Sequence, residues 1–387
     1  MSLARAYLDY NASAPLTQDA LAAASAALAF CGNASSVHHE GREARRIIEQ
    51  ARKDVAALVN ADPSHVIFTS GATEAASMLL TPSWKMGAAP LHVSHLYVCA
   101  ADHPCMLNGG HFATEQVTRI EVDADGLLRL DMLENALAAH DKVQGLPLVA
   151  CHLANNETGV IQDSPAIAAV AKAHGALLVL DAVQAAGRIP LDMVALGADF
   201  LVLSAHKIGG PKGAGAIVSQ GEVLTPVPLV KGGGQEKGHR AGTENVMAIA
   251  GFGAAARNAL DNLVHADEVG VLRNRFEAAI VSRFNNAIIF GAQAPRLPNT
   301  LFFSVPGLKA ETAQIAFDLD GVALSAGSAC SSGKVGPSHV LAAMGVEGDL
   351  GALRVSIGCE TGERELQAFE KVLDRLVKRH IPSQAAE

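Results

Sequence analysis

Short apolar runs recur along the first half of the chain. Val66-Ile67-Phe68-Thr69, Leu96 to Ala101, Val117 to Val122, Leu146 to Leu153, Ala176 to Leu180 and Phe200 to Leu203 read as strands. Helical patterns such as Ser164 to His174 separate some of them. This alternation predicts an α/β domain with a largely parallel sheet. Thr243 to Leu263 reads as a long helix leading out of that domain. Beyond it the pattern loosens into α+β: a helix over Asp267 to Phe284, strands over Asn299 to Val305 and Ala352 to Ile357, and a closing amphipathic helix over Arg364 to His380. The pattern predicts a large α/β domain over 15–255 and a smaller α+β domain formed by 1–14 with 256–387. No internal repeat interrupts it.

Composition narrows the class. A chain of 387 residues that is 49% hydrophobic can bury a sizeable core. The formal net charge of -9 and the lack of a basic run argue against a nucleic-acid surface. No stretch approaches the ~20 apolar residues that span a bilayer, and Met1 to Tyr10 does not resemble a signal peptide. The six cysteines are dispersed without a C-x-x-C pair, so the expectation is no metal, no disulfide framework and a cytoplasmic setting.

The candidate chemistry gathers at strand ends. Lys207 follows the run Phe200 to Leu203 directly, beside Ser204 and His206 and before a glycine-rich loop. An amine held there suits Schiff-base chemistry, although a lone lysine before a turn is more often a surface residue. Ser70-Gly71-Ala72-Thr73-Glu74 follows a strand and opens a helix, where free N–H groups bind anions. The same residues also read as an ordinary helix cap. Asp181 ends the run Leu177 to Leu180, so its carboxylate faces the crevice where α/β folds bind ligands. A pyridoxal ring needs such a partner for its nitrogen. Gln184 is placed to donate to the ring's phenolic oxygen, and His103, after the strand at 96–101, to stack on the ring. A helix cap for Asp181 and a loop histidine for His103 are the plainer alternatives. Neither a dinucleotide fingerprint nor a P-loop is present.

These residues sit in a series of motifs: Tyr7-Leu8-Asp9-Tyr10-Asn11-Ala12, Phe68-Thr69-Ser70-Gly71-Ala72-Thr73-Glu74, Asn155-Asn156-Glu157-Thr158-Gly159, Asp181-Ala182-Val183-Gln184 and Ser204-Ala205-His206-Lys207. Gly232-Gly233-Gly234-Gln235-Glu236, Arg240-Ala241-Gly242-Thr243-Glu244-Asn245 and Ser325-Ala326-Gly327-Ser328-Ala329-Cys330 continue the series. In this order they resemble the cysteine desulfurases of the NifS and IscS group, within the class V, fold type I pyridoxal-phosphate enzymes. The resemblance covers nearly the whole chain.

That resemblance implies a fold type I transferase in which Lys207 carries pyridoxal 5'-phosphate as a Schiff base. It implies that Ala72, Thr73, Ser204 and His206 hold the phosphate, with Thr243 reaching the phosphate of a partner subunit in a homodimer. Asn156 and Gln184 would contact the ring substituents, Asp181 the ring nitrogen and His103 the ring face. Arg354 would clamp the substrate carboxylate through its guanidinium fork, assisted by Asn33. Cys330, in a segment of small and flexible residues, would take sulfur from L-cysteine as a persulfide, leave L-alanine and pass the sulfur to an acceptor protein. Lys207 would act as base at the α-carbon and His103 as an acid–base group for the thiol proton. Departures such as Ser13-Ala14-Pro15 near the N-terminus and Ala75-Ala76 after Glu74 bear on substrate fit and partners. A selenocysteine lyase or a class V aminotransferase is the nearest alternative activity, and a subunit that only binds sulfur carriers is the non-enzymatic one. The destination of the sulfur, whether iron–sulfur clusters or another thio-cofactor, is not written in these motifs.

Overall fold

The computed structural model describes residues 5–108, 110–327, 338–348 and 350–380. Its centre is a nine-stranded sheet in the order Leu224–Pro226, Ser83–Met86, Ala89–Cys99, Leu146–His152, Leu177–Asp181, Phe200–Ser204, Gly215–Ser219 and Val66–Thr69, with Val117–Ile120 also paired to Ala89–Cys99. The strands from Ala89–Cys99 to Phe200–Ser204 run parallel. Gly215–Ser219 runs antiparallel between Phe200–Ser204 and Val66–Thr69.

Alternation along these strands shows why both faces must be covered. Leu178, Leu180, Leu201 and Leu203 enter one apolar cluster. Leu177, Val179, Phe200 and Val202 enter another on the opposite face. Successive side chains of a strand point to opposite faces, so a run with no polar interruption is buried twice. The first cluster packs under the amphipathic helix His39–Leu58 and the helix Val246–Asp261.

A four-stranded antiparallel sheet follows, in the order Ile288–Ile289, Thr300–Ser304, Ala352–Ser356 and Ser325–Ala326. Its apolar cluster joins Leu301, Phe303, Leu353 and Val355 to Phe276, Phe317 and Phe369 of the flanking helices. Ala6 and Leu8 join this cluster too, because Ala6–Tyr7 pairs in parallel with Val322–Ala323. Phe302, between Leu301 and Phe303, points the other way into the large-sheet cluster.

Most strands and helices read from periodicity are present. The helix Ser164–His174 has the predicted bounds, with Asp163 capping Ala166 and Gly175 in the left-handed conformation ending it. The helix read from Thr243 instead begins at Val246, because the Asn245 side chain accepts from the Ala248 N–H at 3.1 Å and sets the start there. The strand Gly215–Ser219 has no counterpart in the sequence reading. Its glycine merges with the preceding Gly209 to Gly215 loop, and its five residues carry too little pattern to stand out.

Candidate active site

The carboxyl ends of the parallel strands converge on one cavity, and strand register decides which side chains meet there. His152 pairs with Asp181 across adjacent strands, and Asp181 with Val202 across the next pair. Ser204 and Thr69 both pair with Gly215 from opposite sides. A Cβ on Gly215 would come within 2.6 Å of the Gly71 backbone and 2.8 Å of the Leu203 carbonyl. Glycine at this position therefore lets the turn before the helix Ala72–Leu79 close against the sheet.

The cavity has a volume of about 490 Å³ and is walled by residues from five strand ends and the N-terminal segment. Ala72, Thr73, Ser204 and His206 are in its lining, as are Asn156, Asp181, Gln184, His103 and Lys207. Gly71 begins the helix Ala72–Leu79 with no side chain capping it. The Glu74 side chain turns back to Ser70, accepting from its backbone N–H at 3.0 Å, and pairs with Arg240 at 2.9 Å. The first helical N–H groups thus face the cavity without a built-in carboxylate, beside two polar side chains. That donor set suits a phosphate.

Lys207 stands in a short 3-10 turn directly after Phe200–Ser204. Its ammonium donates to the carbonyls of Asn11 at 2.6 Å and Ala12 at 3.0 Å. Asp181 is buried, and one of its oxygens accepts from the Val183 N–H at 2.9 Å. Burial raises its carboxyl to about 6, against that N–H, with the Asp102 carboxylate adding to the rise. Burial, reinforced by the Lys207 charge, pushes His103 and His206 each down to about 4. Both imidazoles are neutral near pH 7.

Further side chains of the cavity carry chemistry that sequence reasoning did not single out. Cys105 lines it, with Sγ 3.1 Å from His103 Nδ1, and its backbone N–H donates to the same nitrogen at 3.2 Å. His152 lines it as well, with Nδ1 2.5 Å from the buried Asp102 carboxylate. Asn155 fixes the adjoining loop by accepting from the Glu157 and Thr158 N–H groups at 2.9 and 3.0 Å. The available signal for Asp102 and His152 was the one that marked Asp181: a polar residue at the end of an apolar run.

Three residues of the expected site lie outside this lining. Arg354 is 3% exposed, pairs with Asp9 at 2.8 Å and donates to the Asn156 carbonyl at 2.8 Å. Its Nε is buried with no acceptor among the described residues. Asn33 is exposed and accepts from the Ser35 N–H at 2.9 Å. Thr243 is exposed on an adjoining cleft that shares Ser70, Gly213 and Ala214 with the cavity. Cys330 lies outside the described residues.

The chain matches the aminotransferase class-V family over residues 6–369. The chain belongs to that family. It is 36% identical over 383 residues to the IscS-like cysteine desulfurase of Mycobacterium tuberculosis, covering 97% of this chain and 96% of that protein. It is 36% identical over 381 residues to the cysteine desulfurase IscS of Dictyoglomus turgidum, covering 96% and 94% respectively. Among solved structures it is similar to a NifS-like protein from Rickettsia africae ESF-5. The TM-score is 0.86 and the identity 31%, over 97% of this chain and 99% of that one. The class-V fold and the α/β class expected from periodicity are those of this structure. Among the described residues no helix is long and apolar enough to cross a membrane.

Proposed function

We propose that the chain is a cysteine desulfurase that uses pyridoxal 5'-phosphate, converts L-cysteine to L-alanine and takes the sulfur onto Cys330. The observation that carries this is the single cavity in which Lys207, Asp181 and the uncapped start of Ala72–Leu79 meet. An amine, a buried carboxylate and a phosphate cradle are the three groups this cofactor requires. The relatives named cysteine desulfurase support the choice of reaction.

The residues fit the cofactor. Ala72, Thr73, Ser204 and His206 would hold its phosphate, Asp181 its ring nitrogen, Asn156 and Gln184 its ring substituents, and His103 its face. Thr243, exposed on the adjoining cleft, would serve the site of a second subunit in a homodimer. The bound cofactor supplies an electron sink for charge developing at the substrate α-carbon.

The chain's own residues do the rest. Lys207 would hold the cofactor and would move the proton at the substrate α-carbon. Arg354 receives the substrate carboxylate, and its Nε, with no acceptor among the described residues, is a donor for that purpose. Asn33 assists from the exposed edge. His103 is neutral, with Nδ1 accepting from Cys105, so its proton sits on Nε2. That N–H can donate a hydrogen bond to substrate sulfur and steady negative charge on it. The Cys330 thiolate attacks this sulfur, the carbon–sulfur bond breaks as the sulfur–sulfur bond forms, and the carbon skeleton leaves as alanine. Atoms balance: one cysteine and one thiol yield one alanine and one persulfide. The persulfide then passes to an acceptor protein, in a reducing compartment such as the cytoplasm.

Alanine release from L-cysteine with a reductant present tests this reading, in wild type and Cys330→Ala. Loss of alanine formation in the variant, with the cofactor's visible absorbance kept, is the expected result. Equal release from both would remove Cys330 from the reaction.

A further inference from the structure

Arg188 is a guanidinium without an acid. Among the described residues it forms no ion pair, and its charged neighbour is another guanidinium, that of Arg354. Burial, with that like charge, depresses its pKa to about 9. A half-buried cation with no counterion among the described residues has to be met by neutral acceptors, so what it touches matters.

Two of its three hydrogen bonds go to one residue, Gln184. Nη1 donates to the Gln184 backbone carbonyl at 2.7 Å and also to Gln184 Oε1. Nη2 reaches the Tyr10 carbonyl at 3.4 Å. On the other side of the amide, Gln184 Nε2 donates to the Asn11 carbonyl at 3.0 Å. That carbonyl is the one that receives Lys207 Nζ.

These partners admit one orientation of the amide. A guanidinium only donates and a backbone carbonyl only accepts. Turning the amide over would set its NH2 against Arg188 and its oxygen against Asn11, so both bonds would become repulsive. In the orientation present, one amide N–H is used by Asn11 and the second has no acceptor among the described residues, on a side chain that lines the cavity.

We propose that Arg188 is a positioning residue: it locks the Gln184 amide so that its second N–H serves the phenolic oxygen of bound pyridoxal phosphate. This rests on the cofactor assignment made above. Arg188 touches neither substrate nor cofactor in this role. It acts through Gln184, and it fixes which end of the amide the cavity meets.

The test is a pH titration of the bound cofactor's visible absorbance in purified holoprotein, for wild type, Arg188→Met, Gln184→Ala and the double variant. A donor to the phenolic oxygen favours its anionic form and lowers the titration midpoint. Arg188→Met should raise the midpoint by about one unit, the size expected when one hydrogen bond to an anionic oxygen is lost. In the Gln184→Ala background the same substitution should add no further shift. A midpoint unchanged by Arg188→Met overturns the proposal. So does an equal rise with and without Gln184, which would mean a bare field effect of the charge. If the Met variant does not fold, Arg188→Lys decides: a rise abolished by Gln184→Ala supports the proposal, and no rise, or one that persists, overturns it. Wild-type protein that takes up no pyridoxal phosphate would sink the cofactor assignment and this proposal with it. That failure is read before any variant is made.

Discussion

Lys207 Nζ lies 2.6 Å from the Asn11 carbonyl, across 196 residues of chain. Asn11 is anchored in turn to the smaller sheet: its N–H donates to Ser356 Oγ at 2.9 Å and its amide to Thr300 Oγ1 at 2.9 Å. The amine is therefore held between the two sheets by a segment that belongs, in its packing, to the smaller one. Replacing Lys207 by Ala should leave this frame standing while removing the amine proposed to attach the cofactor covalently. Borohydride treatment should then fix no cofactor to the protein, and alanine release should fall by about a thousandfold. Retained covalent labelling would assign the attachment to another amine.

Arg354 has a structural role and a proposed one at the substrate carboxylate, which a single variant can separate. It is paired with Asp9 and bonded to the Asn156 carbonyl, and its Nε has no acceptor among the described residues. Arg354→Lys keeps a positive charge toward Asp9 and loses the planar fork. The KM for L-cysteine should rise by about tenfold or more, with the cofactor's absorbance unchanged. A lowered kcat at unchanged KM would contradict a role in holding the carboxylate.

Glu157 makes stability depend on pH. Burial raises its carboxyl to about 7, against the Ser338 hydroxyl and Arg354. A folded-state pKa above the unfolded value means that the folded protein holds the proton longer. The contribution of Glu157 is thus fully present below about pH 4.5 and is lost as pH rises through about 7. Glu157→Gln should remove this slope, seen as a smaller drop in denaturant midpoint between pH 5 and pH 8 than in wild type. At the upper end the difference is on the order of 3 kcal/mol. Parallel profiles for the two proteins would show that Glu157 is ionised throughout.

His103 should stay neutral through the working range. Burial, Lys207 and His339 hold it near 4, and Cys105 fixes its tautomer from the Nδ1 side. Its lowered pKa makes its share of stability complete above about pH 6.5 and lost as pH falls through about 4. Nitrogen NMR of the labelled imidazole should show the Nε2–H form from pH 6 to 8. Cys105→Ala should weaken that preference while the backbone N–H retains part of it. A protonated ring at pH 7 would exclude the neutral donor assigned here.

The chemistry at strand ends was legible because it is local. Asp181, Ser204 and Lys207 each follow an uninterrupted apolar run, and such a run must be a doubly covered strand whose next polar residue emerges at the sheet edge. The turn Ser70 to Glu74 was legible for the same reason, since it lies between a strand and a helix. Gly215–Ser219 was missed because a five-residue strand next to a glycine loop has no period long enough to read.

What the sequence determined by itself was the alternation of buried strands with helices and the residue type waiting at each strand end. Both follow from periodicity, which acts over a few neighbouring positions. Tertiary structure alone decided the partners. The Gln184 amide of the Arg188 turn meets the carbonyl of Asn11, Arg354 meets Asp9, and Glu157 meets Ser338. These contacts join segments remote along the chain. They depend on register and on how two sheets pack, and no local pattern of hydrophobic and polar residues records either.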